Sequence, residues 1–151
     1  MAYCIPYTYS QLTHYLQNLR RKHISKSIFM PEQGFLTISK LCNSLGGLEV
    51  PLLIIHDKSS SEESEPKFPK KCILVSGRVH PGESNGSYMM EGFLNFLCGE
   101  SKEAANLRKD FIFKIVPMLN PDGVCVGNYR TGVSGKDFNR EYRNPDKAIF
   151  P

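Results

Sequence analysis

The chain has 151 residues, 40% apolar and 23% charged, the proportions of a soluble globular domain or a part of one. Nineteen basic against 15 acidic residues give a formal charge of +4, and no stretch interleaves basic with aromatic side chains, which argues against nucleic acid as a partner. No apolar run reaches the ~20 residues of a membrane span, and the opening "MAYCIPYTYS" lacks a signal-peptide core, so neither a membrane nor a secretory setting is expected.

Residues 8–23, "TYSQLTHYLQNLRRKH", predict a helix. Thr8 and Gln11 have capping-box spacing, and Leu12, Tyr15, Leu16 and Leu19 recur at helical intervals. Arg20, Arg21 and Lys22 then suit a helix C-terminus, whose open carbonyls attract cations. "GFLTISKL" (34–41) and "LEVPLLIIHD" (48–57) predict strands around a turn at Gly46-Gly47. Residues 58–71, "KSSSEESEPKFPKK", are polar, carry proline and show no apolar period, and read as a flexible surface loop. "KCILVSGRVH" (71–80) reads as a buried strand. "SNGSYMMEGFLNFLCGE" (84–100) follows as a helix burying Met89, Met90, Phe93, Leu94 and Leu97. "FIFKIVPMLNPDG" (111–123) is a second buried strand that ends in a turn, with Asp122 as a turn residue. Strand, helix and strand in succession give an α/β class. The five cysteines, Cys4, Cys42, Cys72, Cys98 and Cys125, are widely spaced and form no C-x-x-C pair, so free thiols in a reducing, cytosolic setting are expected.

The chemistry concentrates in "SGRVHPGES" (76–84). Gly77, Gly82 and Ser84 fit a phosphate loop, but Glu83 stands where that loop needs a lysine, and a carboxylate would repel the phosphate. His80 and Glu83 form an H-x-x-E pair whose imidazole nitrogen and carboxylate oxygen both suit Zn²⁺, although a catalytic zinc takes three protein ligands. A histidine at a strand end beside a surface glutamate also occurs with no metal at all. The four residues alone leave these readings open.

Three further strings add context. "VHPGES", then "VPMLNPDGVCVGNYR", then "GKDFNR" together resemble the zinc metallocarboxypeptidases, specifically their cytosolic carboxypeptidase branch, and "CIPYTYSQLTHYL" is similar to the segment with which that branch enters its catalytic domain. The resemblance implies a mixed, mostly parallel sheet flanked by helices, with residues 1–151 as the N-terminal portion of a carboxypeptidase catalytic domain. It implies His80 and Glu83 as two ligands of one zinc ion and Arg130 as the group that polarises the scissile carbonyl. It implies Asn139 and Arg140 as the clamp on the substrate's terminal carboxylate, where a guanidinium grips with two parallel hydrogen bonds. The third zinc ligand, a histidine, and a glutamate general base are expected beyond Pro151, because no histidine follows His80. The implied substrates are acidic protein tails, tubulin above all, and the 151-residue chain by itself is expected to be a poor hydrolase. Two rivals are an aspartoacylase-like zinc amidohydrolase and a non-catalytic isoform acting as a binding module. Arg78 and Lys136 lie near the motifs and are candidates for holding an acidic side chain, whereas His14, His23 and His56 lack carboxylates at ligand spacing.

Overall fold

A computed structural model describes residues 4–27, 34–57, 70–147 and 149. Helix α1 spans Tyr9–Ser27, opened by the expected reciprocal cap: the Thr8 amide donates to Gln11 Oε1 at 2.7 Å and the Gln11 amide to Thr8 Oγ1 at 3.1 Å. It runs four residues past the expected end, so Arg20, Arg21 and Lys22 lie inside the helix instead of at its terminus. Leu12, Leu16 and Leu19 form its buried stripe. Strands β1 (Leu36–Asn43) and β2 (Glu49–Ile55) form the expected hairpin, closed by a turn in which Gly47 takes φ +83°, a conformation that side-chain-bearing residues rarely adopt. Strand β3 is Lys71–Ser76, so residue 71 belongs to the sheet, while 58–69 of the expected loop lie outside the described residues.

Helix α2 (Asn85–Leu97) buries Met90, Leu94 and Leu97 as expected, but Met89 points outward at 73% exposure. Tyr15 of α1 accounts for the rotation: its hydroxyl shares its one proton between Asn95 Oδ1 at 3.0 Å and the Glu91 carbonyl at 3.3 Å, with the 91–95 edge of α2 turned towards α1. Helix α3 (Lys102–Asp110) was not anticipated. Its signals are present, with Ser101 capping the Ala104 amide, Glu103 in the first turn, and Arg108 and Lys109 in the last. Strand β4 (Phe111–Val116) ends before Pro117. The expected Asn-Pro-Asp-Gly turn is instead the start of a short helix α4 (Pro121–Val126). Asn120 caps its Gly123 amide and Pro121 takes the first turn, where a missing N–H costs nothing. Asp122 is therefore not a turn residue: its buried carboxylate accepts from Ser44 Oγ (2.6 Å) and the Gly46 amide (2.8 Å), pinning the β1–β2 turn to α4.

The sheet is mixed, in the order β1-β2-β4-β3. β1/β2 and β2/β4 pair antiparallel and β3/β4 parallel, so the parallel portion among the described strands is this single pair. Ile73, Phe113, Ile115, Leu53 and Ile55 share one face by register and pack with α1 and α2 residues into the core. On the opposite face Cys72, Leu74 and Lys114 are exposed, Leu74 to 70%. β3 also ends the strand order, so one of its edges has no strand partner among the described residues. Such an edge templates self-association. Leu74→Thr brings in a β-branched residue suited to a strand and removes most of the apolar surface; it is expected to lower light scattering of the concentrated 151-residue chain while changing folding stability by less than about 0.5 kcal/mol. Unchanged scattering would place the liability elsewhere. All five cysteines are free thiols, and no helix among the described residues is long and apolar enough to cross a membrane.

Candidate metal centre

The parallel pair places the site. Beyond the strands the two chains stay in register: the Gly77 amide donates to the Val116 carbonyl, the Leu119 amide to Gly77, and the Asn120 amide to Arg78. His80 and Asn120 thus emerge at the carboxyl ends of adjacent parallel strands, where α/β sheets collect ligands. The turn carrying His80 and Glu83 is held from the far side by the 127–132 loop. The Gly82 amide donates to the Tyr129 carbonyl at 2.7 Å, and a Cβ on Gly82 would stand 2.8 Å from that oxygen, so only glycine fits.

His80 is buried, with both ring nitrogens facing carboxylates: Nδ1 lies 3.2 Å from Glu83 Oε1 and Nε2 lies 3.1 Å from Asp137 Oδ1. Asp137 was not singled out in the sequence, yet it organises everything else. Its Oδ1 also accepts from the Asn139 amide at 3.0 Å, capping the short 3-10 turn Phe138–Arg140. Its Oδ2 accepts from Arg130 Nε at 2.7 Å and lies 3.8 Å from Arg140 Nε. One carboxylate therefore gathers His80, Arg130 and the Asn139-Arg140 turn. The available signal was Asp two residues before Asn139, the spacing of an Asx cap.

The donors fit a metal. Two ligands held ~2.0–2.2 Å from one tetrahedral ion stand roughly 3.3–3.6 Å apart, and the Nδ1–Oε1 separation is 3.2 Å. A carboxylate on the second ring nitrogen is the usual way a ligand histidine is oriented: with an ion on Nδ1, Nε2 would carry the proton and donate it to Asp137. Glu83 keeps half of its side-chain surface exposed and can move onto an ion. Among the described residues no group of three His, Cys, Asp or Glu side chains could hold a metal ion.

The electrostatics follow from Asp137. The hydrogen bond from Arg130, reinforced by the Asn139 amide, holds its carboxyl down at about 2 against an ordinary 3.8, and the same contact raises Arg130. A depressed carboxyl keeps its interactions above 3.8 and loses them as pH falls through about 2. The ¹³C carboxyl resonance of Asp137 is expected to titrate near 2 in the metal-free chain, and Arg130→Ala is expected to move the midpoint up towards 3.8. A midpoint unmoved by Arg130→Ala would contradict the assigned cause.

Other sequence candidates fall elsewhere. Arg78 is buried and its guanidinium is spent on Pro81, Tyr7 and Ser87, so it is not available to a substrate side chain. Lys136 is half exposed, 3.9 Å from Glu141. Ser84 donates to the Ile5 carbonyl at 2.7 Å, which removes the hydroxyl that a phosphate loop would need. His56 Nδ1 lies against the Asp57 carbonyl and His23 stacks edge-on to Phe35, away from the site.

Residues 30–148 match the family model described as "Zinc carboxypeptidase". The chain is 47% identical over 151 residues to cytosolic carboxypeptidase 2 of Danio rerio, covering 100% of this chain and 20% of that protein. It is 44% identical over 150 residues to the Homo sapiens protein of the same name, covering 99% of this chain and 16% of that one. Among solved structures, a metallo-carboxypeptidase from Burkholderia cenocepacia superposes with a TM-score of 0.76 at 27% identity, covering 96% of this chain and 36% of its own. The chain thus spans about a fifth or less of the length of these curated relatives. The matched fold, the H-x-x-E pair at the ends of the parallel strands and the family model agree: the chain belongs to the zinc carboxypeptidase family, with cytosolic carboxypeptidases among its relatives.

Proposed function

We propose that the protein to which this sequence contributes is a cytoplasmic zinc carboxypeptidase that removes C-terminal or branch-point residues, glutamates foremost, from acidic protein tails such as that of tubulin. The observation that carries this reading is the convergence of His80, Arg130 and the Asn139-Arg140 turn on Asp137, with Glu83 facing the other nitrogen of His80. His80 and Glu83 would hold the ion, with a third ligand and the general base supplied from beyond residue 151. When bound, zinc polarises the scissile carbonyl and activates water.

The remaining roles belong to this chain's side chains. Asp137 holds the His80 ring in one tautomer. Arg130 presents a fixed cation to the oxygen that becomes negative in the transition state. Its Nε is committed to Asp137, which aims the guanidinium and leaves its terminal nitrogens without a hydrogen-bond partner among the described residues. Asn139 and Arg140, both exposed on the 3-10 turn, grip the terminal carboxylate. That grip makes the reaction an exopeptidase step. The acidic-tail preference and the cytoplasmic setting rest on the resemblance to cytosolic carboxypeptidases.

The experiment is an assay of the chain extended through the downstream part of the catalytic domain. Peptides ending in glutamate, the same peptides with an amidated C-terminus, and N-acyl amino acids are compared. Cleavage confined to the free-carboxylate peptides supports the proposal, and turnover of N-acyl amino acids alone would favour the amidohydrolase. The 151-residue chain itself is expected to be inactive in the same assay, and robust turnover by it would overturn the need for downstream ligands.

A further inference from the structure

We propose that Arg78 is the positioning residue of the metal-ligand turn: a buried guanidinium that fixes the Pro81 carbonyl between His80 and Glu83 and ties it to the N-terminal segment and to α2. The inference rests on the reading of His80 and Glu83 as a zinc pair and adds a residue to which no metal or substrate role falls.

Arg78 is only 6% exposed. Burying a guanidinium is costly unless its donors are satisfied, and here four hydrogen bonds engage four of its five N–H groups. Nε and Nη2 both donate to the Pro81 carbonyl, at 3.0 and 2.7 Å. Nη1 donates to the Tyr7 carbonyl at 3.0 Å and to Ser87 Oγ at 2.7 Å. Tyr7 is fixed in turn, its hydroxyl bound to Glu91 of α2 and its ring edge-on to Tyr88. The clamp therefore joins the turn to two elements that do not move independently.

Backbone geometry points the same way. Arg78 is the one described non-glycine residue with positive φ, at +55°. A strained conformation persists only where the surroundings over-determine it. Its own carbonyl is taken by the Asn120 amide, so the backbone is held to the β4 side while the side chain folds back over the turn it precedes. Pro81 has no N–H, and its carbonyl is the group that sets the plane of the Pro81–Gly82 peptide between the two ligands. A two-pronged grip on that oxygen restricts the direction in which Glu83 leaves the turn. Ligand orientation of this kind is worth about tenfold to a hundredfold in metal affinity when the supporting partner is removed.

The test compares Arg78→Lys, Arg78→Gly, Ser87→Ala, His80→Ala and Arg108→Lys in the chain extended through the downstream part of the catalytic domain, where the third ligand is expected. Arg108 is the control, a second buried arginine that closes the end of α2 on the Leu97 and Gly99 carbonyls. Zinc affinity is read by competition with a chromophoric chelator, and amide exchange by mass spectrometry or NMR. Arg78→Lys and Arg78→Gly are expected to weaken zinc about tenfold to a hundredfold, with Ser87→Ala showing a smaller loss in the same direction. Exchange at Gly82 and Glu83 should rise in both while the interior of α2 stays protected. Arg108→Lys should lower thermal stability and leave the affinity of the folded protein unchanged. Arg78→Gly removes the backbone strain together with the clamp, so zinc binding by it within twofold of the parent overturns the proposal; if it does not fold, Arg78→Lys and Ser87→Ala decide by the same criterion. If His80→Ala leaves zinc affinity untouched, the zinc-pair reading fails instead. Exchange then decides alone: faster exchange at Gly82 and Glu83 in the Arg78 variants sustains the clamp, and unchanged exchange refutes it.

Discussion

Arg130→Ala in the extended, zinc-loaded protein is expected to lower kcat for a glutamate-ending peptide by about a hundredfold to a thousandfold, the loss seen when one donor to a developing oxyanion is removed. The charge appears on the carbonyl oxygen only as the reaction proceeds, so the ground state gains little from Arg130 and KM should change far less than kcat. In the proposed role Asp137 would orient the cation, since it already accepts from Arg130 Nε at 2.7 Å and would spare the guanidinium a search of rotamers. Arg140→Ala should behave differently. The terminal carboxylate proposed as its partner is present before and during the reaction, so KM should rise and the preference over an amidated peptide should shrink. Because Arg130 also touches the partner of His80, zinc content must be measured alongside. A kcat within a fewfold of the parent at full zinc occupancy would remove Arg130 from the chemistry.

Leu94→Ala is expected to carry the largest cost in stability. The side chain is fully buried in the middle of α2 and belongs to the cluster that joins Leu12 and Leu16 of α1 to Phe113 and Ile115 of β4. Truncating a leucine in such a place costs about 2–5 kcal/mol, the transfer loss plus the cavity left behind. Against a total of ~5–15 kcal/mol for a domain, this threatens the fold itself. The loss also reaches the site, because α2 carries Ser87, one anchor of the Arg78 clamp. Met89→Ala on the same helix, at 73% exposure, should change stability by less than about 0.5 kcal/mol. Urea unfolding followed by far-UV circular dichroism separates the two. Similar midpoints for both variants would show that α2 does not pack as described.

The parts of this fold legible in the sequence were those with a strong local period or a local cap. The Thr8–Gln11 box and the leucine stripe of α1 depend on neighbours three to seven residues apart, and both formed as expected. Met89 and Met90 could not be separated that way, since the helix is apolar on a broad arc and distant contacts, of Tyr15 with Glu91 and Asn95 and of Tyr7 with Glu91, go with the one that faces in. The Asn-Pro-Asp-Gly string supports either a turn or a capped helix start. The choice is made by Ser44 and Gly46, distant in sequence, which donate hydrogen bonds to the Asp122 carboxylate. The site divides in the same manner. His80 and Glu83 stand out by residue type and spacing as one open reading among three, given a zinc role only by the resemblance, whereas Asp137 looks like a loop aspartate until the fold brings His80 and Arg130 to it. Arg78 was legible only as a charge near a motif, and its burial and its hold on Pro81 are tertiary facts.

Zinc content per folded molecule, taken by elemental analysis after equilibrium dialysis of the extended protein, bears most directly on whether one ion joins His80 to Glu83. The account predicts close to one zinc per parent chain, and a marked loss in both His80→Ala and Glu83→Gln. Occupancy that stays the same in both variants would contradict it.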